Sequence, residues 1–386
     1  MPVSLLRSAC RRLAAAPTGR ALACAAALAA CGDNHALSDA GVDALAGPPR
    51  AVIVAGDFTP GHPGVLSTID PVTRAVRTNV GPAMAVGDDP VLRHVGGELL
   101  IVNRNDGNNV TILDDQSLAL KEQLGTGAGS NPQDVAVVGS RLFVPTFSGK
   151  GLVVLTRGQT AITPVDLSAD DPDGAPNCNS AYAVGGDVYV ACELLDATYT
   201  PRGPGKVYVV DGTTLAVKRT ITLGHANPLG VLEQVPATAP SHAGELLIPT
   251  VVFADGSGCL ERITTGATPA AAGCLVNNTE LKGYVSRAAF QVDKEGAIAF
   301  FAVPTTYPNA ELRAYDLTIS ALWAGALNPT AEIAGDLAIC PGGQLVLADP
   351  SAKVNGVRVY EGAAELTKEP IAIGLPPTST HGVVCY

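Results

Sequence analysis

Residues 99–138 read LLIVNRNDGNNVTILDDQSLALKEQLGTGAGSNPQDVAVV, and this run holds one turn of a repeat that governs the rest of the chain. LLIVNRND (99–106) is an apolar run ending in turn residues, which reads as a strand. TILDDQSLAL (111–120) is a second strand that breaks at an aspartate and resumes after a tight turn. A carboxylate at a strand end accepts hydrogen bonds from amides two residues on, so Asp114 reads as a turn residue rather than a catalytic one. DVAVV (134–138) then opens the next period.

Sliding the chain against itself aligns the strand-turn-strand unit seven times. The copies are STIDPVTRAV (67–76), TILDDQSLAL (111–120), VVLTRGQTAI (153–162), YVVDGTTLAV (208–217), ERITTGATPA (261–270), RAYDLTISAL (313–322) and RVYEGAAELT (358–367). Asp70, Asp114, Asp211 and Asp316 keep the turn aspartate; the other copies have drifted. A further strand precedes each unit, as in RLFVPTFS (141–148), DVYVACEL (187–194), ELLIPTVVF (245–253), AIAFFAVP (297–304) and QLVLADPS (344–351). Inner strands come before those: VLRHV (91–95), DVAVV (134–138), SAYAV (180–184), LGVLEQV (229–235), YVSRAAF (284–290) and DLAIC (336–340). Four strands in about 48 residues, repeated seven times, predict an all-β, seven-bladed β-propeller over residues 50–386. The first period starts at AVIVAGDF (51–58) and lacks an inner strand. HGVVCY (381–386), after an expected last outer strand PIAIGL (370–375), supplies it, so the C-terminal strand completes the first blade.

The order of motifs along 99–138 resembles the YVTN-type propeller repeat of bacterial extracytoplasmic proteins. Leu100-Ile101-Val102-Asn103 stands at the Tyr-Val-Thr-Asn string, and Gly129-Ser130-Asn131-Pro132 at the Gly-x-x-Pro turn. The match is good over about one blade and patterned over the others, and the resemblance implies a scaffold more than a reaction. WD dipeptides and the sialidase box are absent from the sequence.

The N-terminus carries an address. Residues 1–30 contain Arg7, Arg11, Arg12 and Arg20, then the apolar stretch ALACAAALAA (21–30), which has the length of a signal-peptide core and is too short to span a bilayer. Leu28-Ala29-Ala30-Cys31 resembles the lipobox of bacterial lipoproteins, which implies lipidation of Cys31. Residues 31–49, small and polar after that cysteine, read as a lipid-anchored tether. The expected place is the bacterial cell envelope, facing the periplasm or the cell surface.

The chain has 386 residues, 47% of them hydrophobic, with 42 Gly and 29 Pro. Such a chain builds a large core but not a helix bundle. Losing residues 1–30 removes four arginines and no acid, shifting the formal charge from -11 to -15. A surface this acidic repels phosphate backbones, so nucleic acid is not an expected partner. The expected partner is an envelope protein or a small ligand, met by a monomer.

Six cysteines remain beyond the lipid site. Cys178 and Cys192 flank Gly185-Gly186 almost symmetrically, and Cys259 and Cys274 flank Gly266-Ala267, so each pair is expected to bridge neighbouring strands in an oxidising compartment. Cys340 and Cys385 fall near the ends of inner strands in adjacent blades, where a third bridge would lock the ring.

Propellers bind at the channel mouth, on the face carrying the loops that lead into inner strands and those that join second to third strands. The candidates there are Asp57, Asp89, Asp134, Glu193, Tyr284, Arg287, Asp336 and His381, with Ser180, Leu229, His62, Asp106, Asp255 and Asp349 nearby. Acids converging on one point would hold Ca²⁺ through oxygen ligands, as in lactonase-like hydrolases. Arg287 and His381 would instead meet an anion or pair with Asp336. No nucleophile or metalloprotease motif is present, and one tryptophan does not supply the stacking of a quinone-dependent dehydrogenase. A binding or assembly module without a predicted cofactor is therefore the first expectation, and a calcium-dependent hydrolase the alternative. The excursions 193–206 and 235–244 are the expected partner surfaces.

Overall fold

The computed structural model describes residues 51–294, 296–306, 309–327, 335–351 and 353–386. The signal segment 1–30, Cys31 and the tether 31–49 lie outside them. The described residues form seven antiparallel four-stranded sheets arranged as a β-propeller.

Each blade follows the chain from inner to outer strand, except the first. There Val383–Cys385 is the inner strand, paired antiparallel with Ala51–Ala55 through Ile53 and Val383, Val52 and Val384, Ala51 and Cys385. The inner strands of blades 2 to 7 are Pro90–Val95, Ala136–Val138, Cys178–Val184, Glu233–Gln234, Arg287–Asp293 and Asp336–Ile339. The seventh outer strand differs from expectation. Ala364–Glu365 takes the place beside Gly356–Glu361, and of the PIAIGL segment Ile371 alone bridges, to Val357.

Both faces of each blade are covered, which explains the nearly unbroken apolar runs of the second strands. Side chains alternate across a strand. Ala51, Ile53 and Ala55 thus pack with Val346, Ala348 and Val359 of blade 7, while Val52 and Val54 pack with Leu92, Leu99 and Ile101 of blade 2. Similar clusters fill the other five gaps between neighbouring blades. Burying a single such aliphatic side chain contributes about 1.5–3 kcal/mol, so every interface carries several of the largest stabilising contributions in the ring.

The turn aspartates act as read from sequence. Oδ1 of Asp70, Asp114, Asp211 and Asp316 accepts the amides two and three residues on. Hydrogen bonds from the Ser117 amide and hydroxyl hold the Asp114 carboxyl down to about 2.

All three expected disulfides form. Cys178–Cys192 and Cys259–Cys274 each staple one blade, and Cys340–Cys385 ties blade 7 to the closing strand of blade 1. The closing strand is also held on its other side. Tyr386 stacks on His94 of blade 2 at 4.1 Å and donates to the Asp115 carbonyl at 2.8 Å.

Of the two excursions, 235–244 joins inner to second strand and therefore lies on the face opposite 193–206. It packs onto blade 6: Val235 and Ala239 join the shared core, and Ser241 Oγ donates to the Leu317 carbonyl at 2.5 Å.

Candidate functional site

The channel is closed by a polar plug to which each blade contributes one side chain: His381, Arg93, Asp134, Ser180, Glu233, Arg287 and Asp336, in blade order. Arg93 of blade 2 donates Nε and Nη2 to the two carboxylate oxygens of Asp134, both at 2.7 Å. The same carboxylate accepts Ser180 Oγ at 2.8 Å, the Ala181 amide at 3.0 Å and the Val135 amide at 2.8 Å. Glu233 reaches in from blade 5, its Oε1 lying 2.8 Å from Arg287 Nε, 2.8 Å from His381 Nε2 and 3.5 Å from Arg93 Nη1. Arg287 Nη1 contacts both oxygens of Asp336 at 3.1 and 3.3 Å, and Asp336 Oδ2 accepts the Val383 amide of the closing strand.

These groups are deeply buried, and their charges compete with desolvation. Burial pushes Asp134 up, but the Arg93 guanidinium more than offsets it and the carboxyl sits below its ordinary value. Burial prevails at Asp336, which sits above its ordinary value although Arg287 opposes the rise. Burial, then the two guanidiniums, hold His381 far below its ordinary value, so the imidazole is neutral at pH 7. Removing one partner from such a network leaves an uncompensated buried charge, which costs about 3–5 kcal/mol.

A cavity of about 550 Å³ lies on the mouth side of the plug. Gln133, Asn179, Leu229 to Val231 and Thr380 line it from the segments leading into inner strands. Arg104, Phe147, Glu193, Tyr199 to Pro201 and Phe253 line it from the loops joining second to third strands. The excursion 193–206 folds into a small hairpin, bridged at Leu195 and Pro201, that carries Tyr199 over the opening beside Phe147. A second cavity of about 410 Å³ adjoins it, sharing Leu229, Gly230, Phe253 and Thr380 and adding Tyr284. On the other side of the plug lies a smaller space of about 210 Å³, lined by Val95, Val137 and Tyr182.

Glu193 is the chemically distinctive group of the larger cavity. It is 4% exposed, and burial pushes its carboxyl up to about 8, opposed by Asn179, so it is mostly neutral at pH 7. Two buried amides beside it are half satisfied. Asn179 Nδ2 donates to the Pro228 and Gly230 carbonyls, and Asn227 Nδ2 to the Val251 carbonyl, but Oδ1 of both has no protein donor. Buried acceptors without donors are costly and uncommon in folded proteins.

The sequence candidates therefore divide. Asp134, Arg287, Asp336 and His381 meet in the plug, with Ser180. Glu193 and Leu229 line the main cavity, and Tyr284 lines its neighbour, edge-on to Phe253 at 5.7 Å. Asp89 pairs with Arg104 and accepts Asn105 Nδ2 at 3.1 Å. Asp57 is exposed, caps the Thr59 amide and lies 3.5 Å from His62. Asp255 caps a turn at the Ser257 amide, and Asp349 pairs with Arg358. The acids do not meet at one point; Asp134, Asp336 and Asp89 each already face an arginine. Arg93 and Glu233 were not among the candidates. Their signal was a charged residue inside a short apolar inner strand, VLRHV and LGVLEQV.

No family model matches the sequence, and no curated protein matches it. Solved structures do resemble the fold. A protein from Lactobacillus plantarum is 12% identical with a TM-score of 0.58, over 87% of this chain and 98% of that one. A quinoprotein alcohol dehydrogenase-like protein from Bacteroides thetaiotaomicron is 11% identical with a TM-score of 0.57, over 88% and 79%. AztD from Citrobacter koseri is 15% identical with a TM-score of 0.50, over 88% and 98%. At these identities the likeness is one of fold.

Proposed function

We propose that the chain is a lipid-anchored binding protein of the bacterial envelope that captures a small organic amine at the mouth of its channel. The observation that carries this reading is the pairing of a buried neutral carboxyl, Glu193, with the donor-less oxygens of Asn179 and Asn227 in a cavity rimmed by aromatic rings. These groups ask for hydrogen-bond donors, and an ammonium supplies three. Tyr199 and Phe253, 71% and 65% exposed, offer ring faces that attract a cation once it leaves water. The volume suits a ligand of drug size, and the plug beneath makes the cavity a dead end rather than a passage. Anchoring rests on Cys31 and the tether 31–49, which would hold the ring near a membrane surface while leaving the mouth open.

An ammonium bound beside Glu193 favours the carboxylate, so binding expels a proton. Below pH 8 the affinity should then rise about tenfold per pH unit. Calorimetry of residues 32–386 with aliphatic and aromatic amines, and with alcohols and carboxylates of matched shape, tests this. Amines should bind with that slope and lose it in Glu193→Gln. Binding of carboxylates but not amines, or amine binding indifferent to Glu193→Gln, would sink the reading.

A further inference from the structure

A second group of side chains, none of them lining the mouth cavity, has donors and spacing suited to a zinc site masked by a disulfide. His225 ends the outer strand of blade 4, Val217–Ala226, where it faces the third and outer strands of blade 5. Its Nδ1 lies 3.5 Å from Cys259 Sγ, 4.0 Å from Cys274 Sγ and 3.3 Å from Glu261 Oε2. Tetrahedral zinc with sulfur at 2.3 Å and nitrogen or oxygen near 2.0–2.1 Å has ligand-to-ligand edges of about 3.3–3.8 Å. The two separations from His225 to the sulfurs lie at or near that range, and the sulfur-sulfur edge is closed by the Cys259–Cys274 bond. Glu261 is 1% exposed and its other oxygen accepts the Gly224 amide, which fixes the carboxylate in place. Among the described residues, His225, Cys259 and Cys274 are the group of His, Cys, Asp and Glu whose ligand atoms all gather within 4.8 Å of one another, and Glu261 stands beside that group at His225. Cys178 and Cys192, by contrast, are wholly buried among apolar side chains.

We infer that reduction of Cys259–Cys274 converts His225, Cys259 and Cys274 into a Cys₂His zinc site with an open fourth position. A dithiol reductant supplies the electrons. Its thiolate attacks the sulfur of half-buried Cys274, the bonding pair leaves on Cys259 Sγ, and the second reductant thiol resolves the mixed disulfide. The reductant ends as its own disulfide and the protein as two thiols. Zinc then takes both sulfurs as thiolates, releasing two protons. The exchange also changes what is joined: the disulfide staples blade 5 to itself, whereas the metal ties blade 5 to blade 4 through His225.

Cobalt(II), added to the chain reduced with a phosphine that does not ligate metal, is the direct probe. One equivalent should give a thiolate-to-cobalt charge-transfer band that zinc displaces, and the oxidised chain should give none. Cys259→Ser with Cys274→Ser keeps the other four disulfide cysteines and should abolish the band. His225→Ala should weaken cobalt binding at least tenfold. The inference is overturned by a band that survives the double serine variant, or by the absence of a band in reduced chain. It is equally overturned if binding is indifferent to His225, the behaviour of thiols in a ring unfolded by reduction.

Discussion

Glu193→Gln should make the protein more heat-stable, and by an amount that depends on pH. Burial raises this carboxyl from an ordinary 4.5 to about 8. The folded state therefore binds the proton more tightly than the unfolded state. The stabilisation is complete below pH 4.5 and is lost as pH rises to 8. At about 1.4 kcal/mol per pH unit, the wild type gives up about 3 kcal/mol from this group by pH 7 and about 5 kcal/mol by pH 9. Glutamine has the same shape and cannot ionise, so the variant keeps what the wild type loses. With an unfolding entropy of about 2.1 cal/mol/K per residue, a ring of about 330 residues shifts its Tm by about 1.4 °C per kcal/mol. The variant should melt together with the wild type at pH 4, about 5 °C above it at pH 7 and about 7 °C above it at pH 9. Paired calorimetric scans across that range measure the difference, in which the titration of all other groups cancels. A gap that stays constant with pH would show that Glu193 titrates as an exposed acid, and would remove the neutral carboxyl from the cavity.

Asp134→Ala strands the Arg93 guanidinium and three further donors in the plug, and should lower unfolding free energy by about 3–5 kcal/mol in urea titrations; a loss under 1 kcal/mol would mean water reaches the plug. Replacing Cys385 by serine reopens a bridge of sequence separation 45, worth about 4 kcal/mol by loop entropy, against about 3 for the separation of 14 at Cys178–Cys192. Melting of the two single variants should rank in that order. Saturating Ca²⁺ should leave Tm unchanged, because the mouth acids are dispersed and Asp89, Asp134 and Asp336 each face an arginine; a rise of several degrees would restore the calcium-site alternative. Cys31→Ser should move the protein from the detergent-extracted membrane fraction to the soluble envelope fraction.

The blade plan was legible because it is written in local chemistry. Asp70, Asp114, Asp211 and Asp316 open the same turn at the same place in their blades, and period counting exposed the strand missing before Ala51. The outermost strand of blade 7 was misplaced because outer strands are half solvated, and neither Ala364–Glu365 nor PIAIGL carries a strong apolar pattern. Cys178–Cys192 and Cys259–Cys274 were legible from symmetry about hairpin turns, and Cys340–Cys385 from the ends of inner strands in adjacent blades. The site was legible only in part. Asp134 and Asp336 announce themselves at the starts of inner strands, but which cation each meets depends on ring geometry that brings residue 93 to 134 and 287 to 336. Glu193 was visible as a loop acid. Its neutrality arises from burial in the folded ring, and burial of that kind has no sequence signature.

The closing strand orders the protein's biogenesis. Blade 1 lacks its inner strand until residues 383–385 have been made, so until then the growing chain can form only an arc whose first blade has an unpaired edge. Cys178–Cys192 and Cys259–Cys274 can be oxidised while synthesis continues, each within its own blade. Cys340 must wait, as a free thiol, for Cys385. Until then the side of Ala51–Ala55 that will receive the closing strand is an open β-edge, of the kind that invites pairing with another chain. His381, Cys385 and Tyr386 arrive together and settle three matters at once: the plug, the covalent lock and the stack on His94. Loss of residues 381–386 would therefore undo the closure of the whole ring rather than trim one blade.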